Sequence, residues 1–135
     1  MSQFVTDTHP LVWHLTNEPR LSQTARTIFT AADAGLHQVL VPGIVLIEMV
    51  YLVEKKILAT NLLNGLLALL NIPNGSYAIA PLDHLVTQTM LIQVPWPVVP
   101  ELADRIITAT AITLNVPLIT KDAKILQSNL VVTLW

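Results

Sequence analysis

Cysteine is absent from the chain, and charged residues are scarce. With no cysteine among 135 residues, disulfide bonds and thiolate-bound metals are excluded. Asp, Glu, Lys and Arg make up 12% of the residues, against about 25% in an average soluble domain. Apolar residues make up 53%, which excludes intrinsic disorder, because disorder requires low hydrophobicity and high charge. The length suits one domain, and we expect a single domain over residues 1–135.

Two common catalytic motifs are also missing. No glycine-rich run precedes a Lys-Ser or Lys-Thr pair, which excludes a Walker-type phosphate loop. No Gly-x-Ser-x-Gly turn occurs, so the nucleophile of an α/β-hydrolase is missing. The net charge of −2 gives no sign of a strongly basic surface, so any binding of nucleic acid must be local.

Neither a membrane span nor a signal peptide is predicted. The longest uncharged stretch, residues 57–82, has 26 residues, but Asn71–Gly75 within it is typical of a turn. The first residues lack the basic start and apolar core of a signal peptide. We therefore expect a soluble, cytoplasmic protein that makes no membrane contact and whose apolar surface favours oligomerisation.

Apolar strands alternate with helices along the chain. The predicted strands are residues 4–6, 38–41, 77–80, 118–120 and 130–134. The predicted helices are residues 9–16, 22–34, 44–56, 61–70, 83–93, 101–114 and a short helix capped by Asp122, with a turn at Pro42-Gly43. Because the strands are continuous apolar runs, the pattern predicts an α/β fold with a parallel sheet covered on both faces. Ligands of such sheets bind at the carboxyl ends of the strands.

Four acidic residues fall at this edge of the sheet or inside apolar helices. Asp7 closes the first strand and Asp122 follows the fourth, so both belong to the carboxyl edge. Glu48 lies about one helical turn from the same edge, and its sequence neighbours are all apolar, which leaves it no obvious wet face. Asp104 lies in another apolar helix, and its placement beside the other three depends on the fold being compact.

Carboxylates that converge repel one another unless a cation lies between them. Two such charges ~5 Å apart repel by about 3 kcal/mol at an effective dielectric constant of about 20. A hard divalent cation removes this cost, and carboxylates with water suit Mg²⁺ or Mn²⁺. Other interpretations remain open at this point: Asp7 and Asp122 are ordinary strand-end and N-cap residues, and Glu48 and Asp104 are buried acids paired with a base such as Arg105.

The ordered set of segments resembles the PIN domain, and more narrowly the VapC-type toxins of bacterial type II toxin–antitoxin pairs. The resemblance covers essentially the whole chain and is carried by Asp7-Thr8-His9, Glu48, residues 104–111 and residues 116–122. It implies a three-layer α/β/α fold around a parallel sheet of four to five strands. It also implies a metal-dependent endoribonuclease, usually a homodimer, that is neutralised by a cognate antitoxin protein.

The resemblance also implies roles for individual acids. The acidic cluster of the family falls on Asp7, Glu48, Asp104 and Asp122. As a hypothesis, Asp7 and Asp104 bind Mg²⁺ or Mn²⁺ directly, and the other two bind it directly or through water. A water molecule activated by the metal then attacks the RNA phosphodiester in line.

Further residues are expected to border this site. Glu101 stands where the narrower group often has Asp, Thr120 stands where a hydroxyl residue often lies near the metal, and His9 follows Asp7 by two residues. Relatives often place a serine where this chain has Pro42-Gly43, so one polar contact of the family is missing here.

Phosphate contacts to the RNA substrate are predicted for Lys121, Lys124 and Arg105, although surface solvation explains the two lysines equally well. Trp13 is interpreted as a core or dimer residue rather than as a platform on which bases stack. The alternative function is a non-catalytic PIN-like or receiver-like α/β module that binds RNA or a protein. A receiver-like domain needs an acidic pair just after its first strand, where this chain has only Asp7.

Overall fold

The computed structural model describes residues 1–135 as five strands and seven helices. The strands are β1 (Ser2–Thr6), β2 (His37–Pro42), β3 (Tyr77–Ala80), β4 (Leu118–Ile119) and β5 (Thr133–Leu134). The helices are α1 (Thr8–Leu15), α2 (Gln23–Asp33), α3 (Gly43–Glu54), α4 (Thr60–Leu70), α5 (His84–Gln93), α6 (Leu102–Leu114) and α7 (Ala123–Ser128).

The five strands form one parallel sheet in the order β3-β2-β1-β4-β5. This confirms the predicted α/β fold with a central parallel sheet of four to five strands. Strand β1 is the central strand and pairs with β2 on one side and with β4 on the other. The later strands are added outward from β1 on both sides. The carboxyl end of β1 therefore lies at the middle of the sheet, where a crevice for a ligand is expected.

The core consists of 29 buried apolar side chains. Val5, Val39 and Leu118 of the three central strands are completely buried, which explains why these strands are continuous apolar runs rather than alternating ones. Helix α2 buries Ala25, Ile28, Phe29 and Ala32, a helical spacing that gives it one apolar face against β2. Each fully buried Val, Leu or Phe contributes about 1.5–3 kcal/mol to the free energy of unfolding.

Two predicted boundaries are wrong. Instead of a turn at Pro42-Gly43, β2 runs through Pro42 and α3 begins at Gly43. Pro42 has the extended backbone (φ −60°, ψ 143°) of both a strand end and an N-cap, so strand and helix join without a loop. The last strand is limited to Thr133–Leu134 instead of residues 130–134. It is an edge strand, and short edge strands limit unwanted pairing with other chains.

None of the seven helices combines the length and the hydrophobicity that crossing a membrane requires.

Candidate active site

Asp7 joins the end of β1 to the start of α1. It is the N-cap residue of α1, and its Oδ1 accepts a hydrogen bond of 2.7 Å from the backbone N–H of Thr8. Its Oδ2 accepts a hydrogen bond of 2.7 Å from the hydroxyl of Thr120. Asp7 is only 7% exposed. Burial raises the pKa of its carboxyl group, and the hydrogen bonds from Thr120 and Thr8 oppose that rise.

Thr120 connects two of the acids. Its buried hydroxyl donates to Asp7 and also accepts a hydrogen bond of 3.0 Å from the backbone N–H of Asp122. Asp122 is the N-cap of α7, where its Oδ1 accepts from the N–H of Ile125 at 3.0 Å. Asp7 and Asp122 are therefore the helix caps that the more ordinary interpretation expected, and both also line the same cavity.

Glu48 of α3 lies on the other side of Asp7. Its Oε1 accepts a hydrogen bond of 2.5 Å from the hydroxyl of Thr8, the residue whose backbone N–H also binds Asp7. The prediction that Glu48 lacks a wet face is wrong, because α3 buries only Val45 and Met49 and leaves Glu48 half-buried. The other apolar residues of α3 divide between partial burial against the core, as for Ile44 and Leu46, and exposure, as for Ile47 and Tyr51.

Asp104 lies in the first turn of α6, and α6 packs against β1 and α3. Burial, first, and then the negative charges of Asp122, Asp7, Glu101 and Glu48 raise the pKa of Asp104 to about 8. These electrostatic effects show that α6 carries Asp104 into the same group of acids, as the compactness of the fold predicted.

A polar cavity of about 250 Å³ unites these side chains. Five of its eight lining residues are acids and none is hydrophobic; the residues are Asp7, Thr8, His9, Glu48, Glu101, Asp104, Lys121 and Asp122. All four predicted catalytic acids thus line one cavity, together with Glu101 and His9. The cluster makes no ion pair, because the salt bridges of the structure are His14–Asp33 and Arg20–Glu18.

Arg105 does not neutralise the neighbouring acids. Its Nε and Nη2 both donate to the carbonyl oxygen of Val94, at 3.1 Å and 2.9 Å. The interpretation of Asp104 or Glu48 as an acid paired with Arg105 is therefore wrong. Among the predicted phosphate contacts, Lys121 lines the cavity, whereas Lys124 is an exposed residue of α7 outside it.

The donors suit a hard cation, but they do not form a closed cage. No three histidine or acidic side chains are arranged so that they could hold one metal ion by themselves. Mg²⁺ usually keeps several water ligands and binds through one or two carboxylates. A cavity of about 250 Å³ with five carboxylates has the donor chemistry and the room for a hydrated ion of this kind.

Comparison with protein families decides what kind of domain this is. Residues 4–128 match the family model of the PIN domain. The chain belongs to the PIN domain family. PIN domains are generally nucleases, and they typically use divalent metal ions.

The fold of this PIN domain is shared with a solved structure. A chain in the crystal structure of VapBC2 from Rickettsia felis, bound to a DNA fragment from its promoter, matches with a TM-score of 0.71 at 17% sequence identity. The match covers 97% of this chain and 96% of that chain. At this identity the match establishes the fold alone. No curated protein matches the sequence.

Sequence reasoning did not find the role of Thr8. This buried residue contacts two acids at once, since its N–H binds Asp7 and its hydroxyl binds Glu48. The adjacency of Asp7 and Thr8 was visible, but the contact with Glu48 joins residues 40 positions apart. Only the packing of α1 against α3 creates that contact.

Proposed function

We propose that this PIN domain is a metal-dependent endoribonuclease and the toxin of a toxin–antitoxin pair, acting in the cytoplasm. The observation that carries the proposal is the cavity at the carboxyl edge of the sheet, where five carboxylates converge without an ion pair. Burial, and after it the repulsion by the neighbouring uncompensated acids, raises the pKa of Asp104 to about 8. A divalent cation relieves that repulsion.

Asp7 and Asp104 would hold Mg²⁺ or Mn²⁺ directly, and Glu48 and Asp122 directly or through water. When bound, such an ion supplies a water of lowered pKa and positive charge beside the scissile phosphate. The chain itself orients the carboxylates: Thr120 and the N–H of Thr8 each bind one oxygen of Asp7. Each of those oxygens keeps a second lone pair for a further ligand.

Positive groups near the cavity would bind the RNA backbone. Lys121 lines the cavity and has no acidic partner, so its charge is free for a phosphate. Lys124 is exposed on α7 and would bind a phosphate farther along the strand. Arg105 donates hydrogen bonds from Nε and Nη2 to the carbonyl oxygen of Val94. Its remaining N–H donors are available to a ligand.

Exposed apolar side chains support the proposed partners, a second copy of the chain and an antitoxin. Ile47 and Tyr51 of α3 are 54% and 60% exposed, and Leu91 and Ile92 of α5 are 80% and 71% exposed. Large exposed apolar areas on a soluble domain mark interaction surfaces. The similarity to a chain of the VapBC2 complex favours an antitoxin as one of these partners.

Cleavage of total RNA tests the proposal. The protein is incubated with RNA and Mg²⁺ or Mn²⁺, with and without chelator, beside the variant Asp7→Asn. We expect cleavage that requires the metal and that disappears in Asp7→Asn. Binding of Mg²⁺ is measured separately as an increase in melting temperature, which Asp7→Asn should reduce.

The non-catalytic alternative finds its support in the lack of a preformed set of three metal ligands. It predicts RNA binding without cleavage at any metal concentration and no change in melting temperature with Mg²⁺. The receiver-like alternative does not fit, because the strand order is 3-2-1-4-5, whereas receiver domains have the order 2-1-3-4-5.

A further inference from the structure

A group of aromatic and cationic side chains lies directly beside the acidic cavity. Its centre is Trp13 of α1, which is only 6% exposed. Around the indole lie Arg20, Lys121, His9 and Trp135. We call these five residues the Trp13 cluster. Nothing in the proposed metal site requires Arg20, Trp13 or Trp135.

Two cations stand over the same ring. The guanidinium carbon of Arg20 is 4.6 Å from the centroid of the Trp13 ring, and Nζ of Lys121 is 4.8 Å from it. Each contact is stabilised by the attraction between a cation and an aromatic face. Each of the two positive charges is thereby held against the indole of Trp13. A phosphate group beside either cation is attracted to it.

Lys121 makes the cluster continuous with the cavity. It lines the cavity among five carboxylates, yet it forms no salt bridge with any of them. Its ammonium group lies over Trp13 instead. His9 makes a second connection, because it lines the cavity and its ring centroid is 5.8 Å from that of Trp13.

Aromatic faces in the cluster remain available to a ligand. The faces of Trp13 are covered by its neighbours, but Trp135 is only half-buried and lies 6.0 Å from Trp13. His9 is exposed. Proteins that bind single strands combine cations that follow the backbone with aromatic side chains on which bases stack. The cluster contains both components, side by side.

Resting on the proposed ribonuclease function, we propose that the Trp13 cluster binds the single-stranded RNA flank next to the scissile phosphate. Arg20 and Lys121 each bind a phosphate of the strand, and Trp135 stacks on a base. Trp13 itself is a positioning residue that holds the two cations. Glu18 weakens the binding of phosphate by Arg20, because its Oε2 lies 3.3 Å from Nη2 of Arg20 and competes with the phosphate for the guanidinium group. Arg20 is 65% exposed and can change partners.

Binding is measured without cleavage, by fluorescence anisotropy of a labelled single-stranded oligoribonucleotide in chelator, over a range of salt concentrations. We expect Arg20→Ala to weaken binding about 3- to 10-fold and to reduce the slope of log affinity against log salt by about 0.7, the value for one phosphate contact on a single strand. Trp135→Ala weakens binding about 5- to 100-fold, and Trp135→Phe restores most of it. Glu18→Gln strengthens binding about 2- to 5-fold, because it frees Arg20.

The matched control is Lys56→Ala, which removes a cation that neither lines the acidic cavity nor contacts an aromatic ring. Its loss should leave both affinity and salt slope nearly unchanged. The proposal is overturned if the parent protein does not bind the oligonucleotide, or if Arg20→Ala and Trp135→Ala bind as the parent does. It is also overturned if Lys56→Ala weakens binding as much as Arg20→Ala. Binding by the cluster without any metal-dependent cleavage would reject the ribonuclease function and leave the cluster as a site that binds single-stranded RNA.

Discussion

The two ends of the sheet carry cavities of opposite character. At the carboxyl edge, the cavity of about 250 Å³ has no hydrophobic lining residue. At the amino ends of β4 and β5, a larger cavity of about 410 Å³ is lined mostly by hydrophobic residues, among them Ile112, Val116 and Val132. It contains no titratable side chain.

The larger cavity is therefore not the one with the groups for the proposed chemistry. Parallel strands all point their carboxyl ends to one edge, and the residues that follow them converge there. Asp7 after β1 and Asp122 after β4 owe their proximity to this geometry. The cavity at the amino ends of β4 and β5 is formed by the mostly apolar connections from α6 and α7.

The largest effect is expected from Asp104→Asn at the carboxyl edge. The substitution keeps the shape of the side chain but removes one of the charges proposed to hold the cation. We expect metal-dependent RNA cleavage to fall at least about 100-fold, while the circular dichroism spectrum stays that of the parent. Cleavage within a few-fold of the parent would remove Asp104 from the catalytic site.

Thr120→Val tests whether the hydroxyl between Asp7 and Asp122 orients them. The change removes a buried hydrogen bond to each residue. We expect a loss of about 1–3 kcal/mol in the free energy of unfolding and a loss of about 10-fold or more in Mg²⁺ affinity. Urea denaturation and Mg²⁺ titration measure the two effects. Thr120→Ser should restore both, and Mg²⁺ affinity equal to that of the parent in Thr120→Val would contradict an orienting role.

The pH dependence of stability sharpens the contrast between the two cavities, because only the cavity at the carboxyl edge is lined by acids. The pKa of Asp104 is about 8 in the folded protein, against 3.8 for an unperturbed aspartate. The carboxyl group of Asp104 therefore binds its proton more tightly in the folded state than in the unfolded state. The resulting stabilisation is fully present below pH ~4 and is lost as the pH rises through about 8.

Without metal, we expect the free energy of unfolding to fall by about 1–2 kcal/mol between pH 5 and pH 8, a value reduced for the partial exposure of Asp104. Saturating Mg²⁺ or the substitution Asp104→Asn should flatten this dependence. Denaturation at several pH values, with chelator or with Mg²⁺, measures it. A stability that rises over this range in chelator would contradict the assignment.

The smallest effect is expected at the apolar cavity. Val132 is 67% exposed, so Val132→Ala removes little buried surface and should change the free energy of unfolding by less than about 0.5 kcal/mol. Cleavage and Mg²⁺ affinity should equal those of the parent. A loss of activity here comparable to that of Asp104→Asn would show that the amino edge also serves the reaction.

Sequence reasoning predicted the elements best where local chemistry specifies them. Asp122 was predicted to cap a helix and does so, and the helices predicted to start at residues 22 and 83 have Ser22 and Asp83 as their N-caps. It failed at Pro42-Gly43, where turn-forming residues serve as a strand end and a helix start. Proline and glycine suit both arrangements, and the register of β2 against β3, which extends to Pro42, decides between them.

The sequence by itself determined the parallel sheet and the presence of acids at its carboxyl edge. Strands that are continuous apolar runs are typical of a parallel sheet covered on both faces, and the polar residues that follow such strands lie at its carboxyl edge. Tertiary structure alone decided that Asp104 joins the acidic residues, that Thr8 binds Glu48, and that Arg20 and Lys121 both lie against Trp13. Each of these contacts joins helices, strand ends or loops that are distant in sequence, and only the packing of helices on the sheet sets the separation of their side chains.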